Sequence, residues 1–258
     1  MLLGEQPRAT GVDEQRRVPG RQEARRRRRL RATAAEPLRP PADSALLGDE
    51  RLSDERTLTR WAHPLRRSTI RRTPVPDSPR VDTLRLLTED RYPEVYVALR
   101  SRRGTDGRVW IQVRIPAPPN GRKGWVRRSM LGPFDAVRTA LTIDKRRSRA
   151  TLRRAGRRIW TAPVGHGAAG TPTPSGRFYV RERIRNLAGD PLYGPWAFGT
   201  SAYSAVSDWP GGGVVGIHGT DQPWLIPGRP SHGCVRVRNR AIRRLARLMP
   251  IGTPVRVR

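Results

Sequence analysis

Cysteine occurs once in this 258-residue chain, at Cys234. It stands in Ser231-His232-Gly233-Cys234-Val235-Arg236, and His218 lies sixteen residues earlier, in Ile217-His218-Gly219-Thr220. A free thiol has a pKa of about 8.5, and only a few per cent is thiolate at neutral pH, so a nucleophilic cysteine needs a base or cation beside it. Imidazole suits that task best, and His218 and His232 are both candidates. Small residues around Cys234 expose backbone N–H groups, which a developing oxyanion requires. Two other readings stay open. A lone cysteine is often a small buried hydrophobe. His218, His232 and Cys234 are also the right types for a three-ligand zinc site, although no nearby carboxylate offers it a base or an outer partner. His63 and His166 have no partner signals and are assigned nothing.

The elements around these residues read as short strands. Val214-Val215-Gly216-Ile217 runs into His218, Leu141 and Ile143 alternate with polar neighbours, Ile159-Trp160 follows Gly156, and Val255 and Val257 form a last strand. One helix is expected, with Ile242, Leu245, Leu248 and Met249 on one face, Asn239 as its N-cap and Pro250 as its stop. Upstream, Tyr92, Val95, Tyr96, Val97 and Leu99 cluster. Val109, Ile111, Val113 and Ile115 alternate after an Asp106-Gly107 turn, and Asn120-Gly121 turns into Trp125-Val126. Three or four strands in so short a span predict a small β-barrel. Tyr193 and Trp196, among the prolines and glycines of residues 189–198, are candidates for a substrate-binding wall, and Gly211-Gly212-Gly213 for a hinge beside His218.

Residues 1–80, with the Arg25–Arg29 run and scattered prolines, lack sustained periodicity and read as a disordered linker. Met1-Leu2-Leu3 passes at once into Gly4-Glu5-Gln6, so no secretory segment is visible, and no apolar run is long enough for a transmembrane helix. The formal net charge is +30, and residues 137–258 hold 22 basic against 5 acidic residues. Only Lys123 and Lys145 are lysines, an arginine bias that GC-rich coding would also produce. Such charge draws polyanions: nucleic acid, anionic lipid or an acidic wall polymer. A nucleic-acid module would interleave arginines and aromatics in a known motif, and none is present. One cysteine excludes a disulfide framework and any Cys-rich metal site.

The paired motif His218-Gly219-Thr220 and Ser231-His232-Gly233-Cys234-Val235-Arg236, with Asn239, resembles the L,D-transpeptidase, or YkuD, catalytic domain. Gly170-Thr171-Pro172-Thr173-Pro174-Ser175-Gly176 before Phe178-Tyr179 adds to the likeness, which covers about residues 137–258. Residues 81–132, closing on Gly124-Trp125-Val126, resemble a bacterial SH3-like domain. The expected fold is therefore mainly β. A disordered segment (1–80) and an SH3-like β-barrel (81–132) precede a β-rich catalytic domain with one late helix (133–258). The resemblance implies cysteine acyl transfer on peptidoglycan stem peptides, forming 3→3 cross-links. A carboxypeptidase or endopeptidase using water at the same thiol is the alternative. It implies Cys234 as nucleophile and His218 as general base and acid, the latter oriented by the Gly219 carbonyl. Ser231, His232 and Gly233 would support the site or hold the oxyanion, and Arg236 would meet a substrate carboxylate or brace the site. No cofactor and no metal are implied. The partners would be stem peptides and anionic wall polymers outside the cytoplasmic membrane, with no nucleic acid.

Overall fold

A computed structural model describes residues 48–186, 189–204 and 213–258. Its described residues are mainly strand, with one α-helix. A first sheet contains β1 (Glu50–Arg51), β2 (Thr59–Ala62), β3 (Ser68–Arg71), β4 (Arg80–Leu84), β5 (Tyr96–Arg103), β6 (Val109–Arg114), β7 (Lys123–Arg127) and β8 (Asp135–Val137). Its order is β4-β3-β7-β6-β5-β2-β8, with β1 also on β5. The Asp106-Gly107 turn joins β5 to β6 as the sequence predicts, with Gly107 at φ 68°. Val109, Ile111 and Val113 face a core with Leu52, Ala62, Ile70, Leu84 and Tyr96.

Leu52, Ala62 and Ile70 correct the sequence reading. Residues 48–80, expected as linker, supply β1–β3 and part of that core. Each of these strands is two to four residues long, so a single inward apolar side chain among arginines carries no visible period. The boundary at 132/133 also moves, because β8 pairs with β2 and closes the first sheet only at Val137. Residues 1–47, with the arginine run, and Gly211-Gly212 lie outside the described residues.

The second sheet holds β9 (Thr139–Asp144), β10 (Arg149–Arg154), β11 (Arg157–Gly167), β12 (Gly176–Tyr179), β13 (Ile184–Arg185), β14 (Trp196–Tyr203), β15 (Val214–His218), β16 (Gly228–Ser231), β17 (Val235–Val237) and β18 (Pro254–Val257). Its order is β12-β18-β9-β10-β11-β17-β15-β14-β13, with β16 also on β11. One face packs Leu141, Ile143, Leu152, Trp160, Val164, Ile217, Val235 and Val237 against Ile242, Leu245 and Met249 of α1 (Asn239–Leu248). Arg238, not Asn239, caps α1, and no side chain there bonds to the helix end.

The sheets meet through Val95, Val97, Leu99 and Tyr179, whose hydroxyl donates to the Val95 carbonyl at 2.7 Å. Beside them the buried Arg181 guanidinium forks onto Glu94 at 2.8 and 2.5 Å and reaches Glu89 at 2.9 Å. Glu89 also accepts from the Tyr203 hydroxyl at 2.6 Å. Asn120, in the turn before β7, brackets the Tyr203 backbone, donating to its carbonyl at 2.7 Å and accepting its N–H at 2.9 Å. Tyr203 ends β14 and precedes Ser204, which lines the cleft described next.

Candidate active site

Val215 and Ile217 of β15, like Val235 and Val237 of β17, point into the core. Strand alternation therefore puts Gly216 and His218, and across from them Cys234 and Arg236, on the opposite face. β15 and β17 are parallel neighbours, with Ile217 opposite Val235 and His218 opposite Arg236. Parallel strands need a crossover of a dozen or more residues. The sixteen-residue spacing is that crossover, closed by β16 against β11.

Gly216 marks where the two side chains converge. A Cβ built on it would lie 3.6 Å from His218 Cδ2 and 3.7 Å from Cys234 Sγ, so thiol and imidazole flank the same vacant spot. Its N–H donates to Sγ at 3.3 Å. The cleft above is lined by Leu192, Tyr193, Ser204, His218, His232, Cys234 and Arg236, among others. Gly216 escaped the sequence reading, although stepping back two positions along the strand from His218 finds it.

The Gly219 carbonyl accepts from His218 Nδ1 at 2.6 Å. A carbonyl can only accept, so Nδ1 carries the proton and the neutral ring keeps its lone pair on Nε2. Tyr193 sets its ring edge-on to the imidazole, with centroids 5.1 Å apart. It sits on the short 3-10 turn Pro191–Tyr193, whose start is capped by Asp190 accepting from the Leu192 N–H at 2.9 Å. Asn239 works at the end of β15: its Oδ1 accepts from the Thr220 N–H at 2.9 Å. That side chain sits so tightly against Gly194 and Gly219 that a Cβ on either would strike it.

The turn before Cys234 is held from both sides. Ser231 Oγ donates to the Cys234 carbonyl at 2.5 Å and accepts the Gly233 N–H at 3.2 Å. Thr173 Oγ1 donates to the Gly233 carbonyl at 2.7 Å, which ties the Thr-Pro-Thr-Pro segment to the site. Gly233 has φ 129°, a conformation that side chains rarely adopt. The Gly233 N–H thus bonds within the turn, to Ser231. Arg236 donates to Gln222 Oε1 at 2.9 Å within the cleft wall. His232 is exposed at the rim, and its carbonyl accepts from Ser204 Oγ at 3.3 Å.

Trp196 is the residue that the structure places elsewhere. Its ring packs on the core under the Arg183 guanidinium, 4.9 Å from the ring centre, and does not line the cleft. It helps only through its backbone carbonyl, which accepts from the Gly219 N–H at 3.1 Å. Among the described residues no three His, Cys, Asp or Glu side chains gather as a metal group, so His218, His232 and Cys234 do not make the zinc set that the sequence left open. His63 and His166 also lie outside the cleft. His63 Nδ1 contacts the Glu94 carbonyl at 2.7 Å, and His166 Nε2 the Lys145 carbonyl at 3.0 Å.

Burial dominates the electrostatics. It lowers the His218 pKa to about 4, against the Gly219 carbonyl, which favours the charged ring; the Arg236 charge lowers it further. Burial also pushes the Cys234 thiol up, outweighing the Gly216 N–H and Arg236, which favour the thiolate. The resting pair is therefore neutral thiol beside neutral imidazole. Alkylation of Cys234 by iodoacetamide should consequently rise about tenfold per pH unit from neutrality to beyond pH 8.5. A plateau reached below pH 7 would mean a preformed thiolate–imidazolium pair.

Residues 138–257 match the family model of the L,D-transpeptidase catalytic domain, YkuD. A Bacillus subtilis protein named as the L,D-transpeptidase YkuD is 34% identical over 97 residues, which cover 38% of this chain and 52% of that protein. An Escherichia coli K12 protein named as the L,D-transpeptidase YbiS is 36% identical over 97 residues, covering 37% of this chain and 31% of the other. The chain thus spans about half the length, or less, of these curated relatives. The solution structure of the catalytic domain from the Enterococcus faecium L,D-transpeptidase is 25% identical, with a TM-score of 0.35, over 46% of this chain and 96% of that one. Residues 138–257, which bring His218 at the end of β15 and Cys234 just before β17 to one cleft, are thus similar to the L,D-transpeptidase catalytic domain, YkuD.

Proposed function

We propose that the protein is a peptidoglycan L,D-transpeptidase acting through a Cys234 thioester. His218 Nε2 takes the Sγ proton as sulfur attacks the carbonyl between the third-residue diamino acid and the terminal D-alanine of a tetrapeptide stem. D-Alanine leaves with that proton, and a thioester remains. The side-chain amine of a second stem attacks the thioester carbonyl, His218 accepts its surplus proton, and that proton returns to the departing sulfur. The product is a 3→3 cross-link and the original thiol. A neutral imidazole of low pKa is ready to accept at once. The backbone N–H groups of Cys234 and His232 would face the oxyanion, with Gly233 holding the turn and Arg236 meeting a stem carboxylate.

The observation that carries this reading is the vacant spot over Gly216, flanked by Sγ and the imidazole. Its substrate places the protein outside the cytoplasmic membrane. No helix among the described residues is long and apolar enough to cross one. Purified protein given a disaccharide-tetrapeptide should release D-alanine and accumulate dimers, both detected by mass spectrometry. D-alanine without dimers would assign water as acceptor and a carboxypeptidase in place of the transferase. Neither product would reject the reading.

A further inference from the structure

The face of the second sheet turned away from its core carries a feature the cleft does not use. In strand register, Arg177 of β12 stands opposite Arg256 of β18, Arg256 beside Thr142 of β9, Thr142 opposite Thr151 of β10, and Thr151 opposite Thr161 of β11. Their chain neighbours Phe178, Val255, Leu141, Leu152 and Trp160 are core residues, so alternation turns this row outward. Two guanidinium groups and three hydroxyls thus line up across five strands. Like charges directly opposite each other across a strand pair destabilise a sheet unless something neutralises them.

The loop between β1 and β2 closes one end of the row into a cavity of about 300 Å³, lined by Glu55, Arg56, Arg153, Arg177 and Arg256 among others. All four arginines are exposed. Glu55 is the one acid in the lining, and it is shared: Arg114, outside the cavity, forks onto it at 2.5 and 2.7 Å, and Arg177 makes a looser ion pair with it at 3.7 Å. Four cations therefore face a concavity with a single carboxylate, which is held most closely by Arg114 from behind and only loosely by Arg177.

We infer that this corner is an anion-binding site that seats a phosphate of a thin, flexible phosphodiester polymer, the Arg177–Arg256 pair forking onto it and Thr142 and Thr151 extending the track. Guanidinium forks match phosphate oxygens in pairs. A concavity of this size, set in the angle between two sheets, admits a single-stranded chain of phosphates and shuts out a duplex. The choice of a wall polyanion as the natural source rests on the proposed function; the site itself does not. Holding an anionic wall polymer there would keep the cleft at its substrate layer.

The test uses the full chain with inorganic polyphosphate as probe, binding being read by calorimetry at physiological ionic strength. R177Q/R256Q should weaken binding about tenfold or more, as expected for losing a forked phosphate contact. The control R243Q/R244Q removes the same charge from the exposed side of α1 and should weaken it less than about threefold. If R177Q/R256Q does not fold, R153Q/R256Q replaces it with the same expectation. Equal losses in both variants would overturn the site, leaving only the diffuse field of a +30 chain. Orthophosphate binding as tightly as polyphosphate would overturn the polymer, and duplex DNA binding more tightly with the same arginine dependence would overturn the occupant. D-Alanine release from soluble tetrapeptide should be unchanged in R177Q/R256Q. A chain that binds polyphosphate through these arginines yet never releases D-alanine would reject the proposed activity and leave the anion site standing.

Discussion

His218→Ala should reduce D-alanine release by about 10²–10⁴-fold, the usual contribution of a positioned general base. The same variant separates two roles that an imidazole beside a thiol can play. Because the resting ring is neutral, with a pKa lowered to about 4, it supplies no positive charge to stabilise a thiolate at neutral pH. Iodoacetamide alkylation of Cys234 at pH 9, where hydroxide competes as the base, should therefore change by less than about threefold. Turnover lost with thiol reactivity kept assigns His218 to proton transfer in the reaction. Reactivity falling in step with turnover would instead make it the cation of a standing ion pair. The Gly219 carbonyl at 2.6 Å from Nδ1 fixes which nitrogen does this work.

The second large effect is on stability. Arg181→Ala should destabilise the protein by about 3–5 kcal/mol at pH 7, measured by urea unfolding, because it removes the forked partner of the fully buried Glu94 carboxylate and leaves it only the looser Arg85 guanidinium at 3.6 Å. Replacing both Arg181 and Glu94 with apolar residues should cost less than the single change, since the desolvated charge is then gone as well. A loss below about 1 kcal/mol for Arg181→Ala would mean that water reaches the pair. This ion pair joins the two sheets, and the same junction carries Tyr203, which Asn120 brackets beside the cleft residue Ser204. The first sheet thus takes part in holding one wall of the site.

Local chemistry made much of this visible in the sequence. Valine alternation around Val109–Val113 and the spacing of Ile242, Leu245 and Met249 each report a one-sided burial that the fold confirms. The His218…Cys234 spacing is legible as a motif, and the fold makes it the crossover between the parallel strands β15 and β17. What stayed hidden depends on distant partners. β2 and β3 each bury one or two residues against β5 and β7, too few to leave a period. Asn239 has the right type and place for a helix cap, yet the approach of Gly194 and Gly219 turns it toward Thr220. Trp196 looked like a substrate platform among its prolines and glycines, but β14 directs it onto the core beneath Arg183. Ser231 competes for the Gly233 N–H through a hydroxyl two residues away, a local bond open to any such turn and therefore not decisive in sequence.

The most direct test of the account is intact-protein mass spectrometry after incubation with a carbapenem, whose strained β-lactam carbonyl is an acylating electrophile for a nucleophilic thiol, followed by peptide mapping of the adduct. A single acyl adduct on Cys234, absent from Cys234→Ala and formed in the presence of a metal chelator, is the predicted result. An adduct that persists in Cys234→Ala, or one that a chelator prevents, would contradict it.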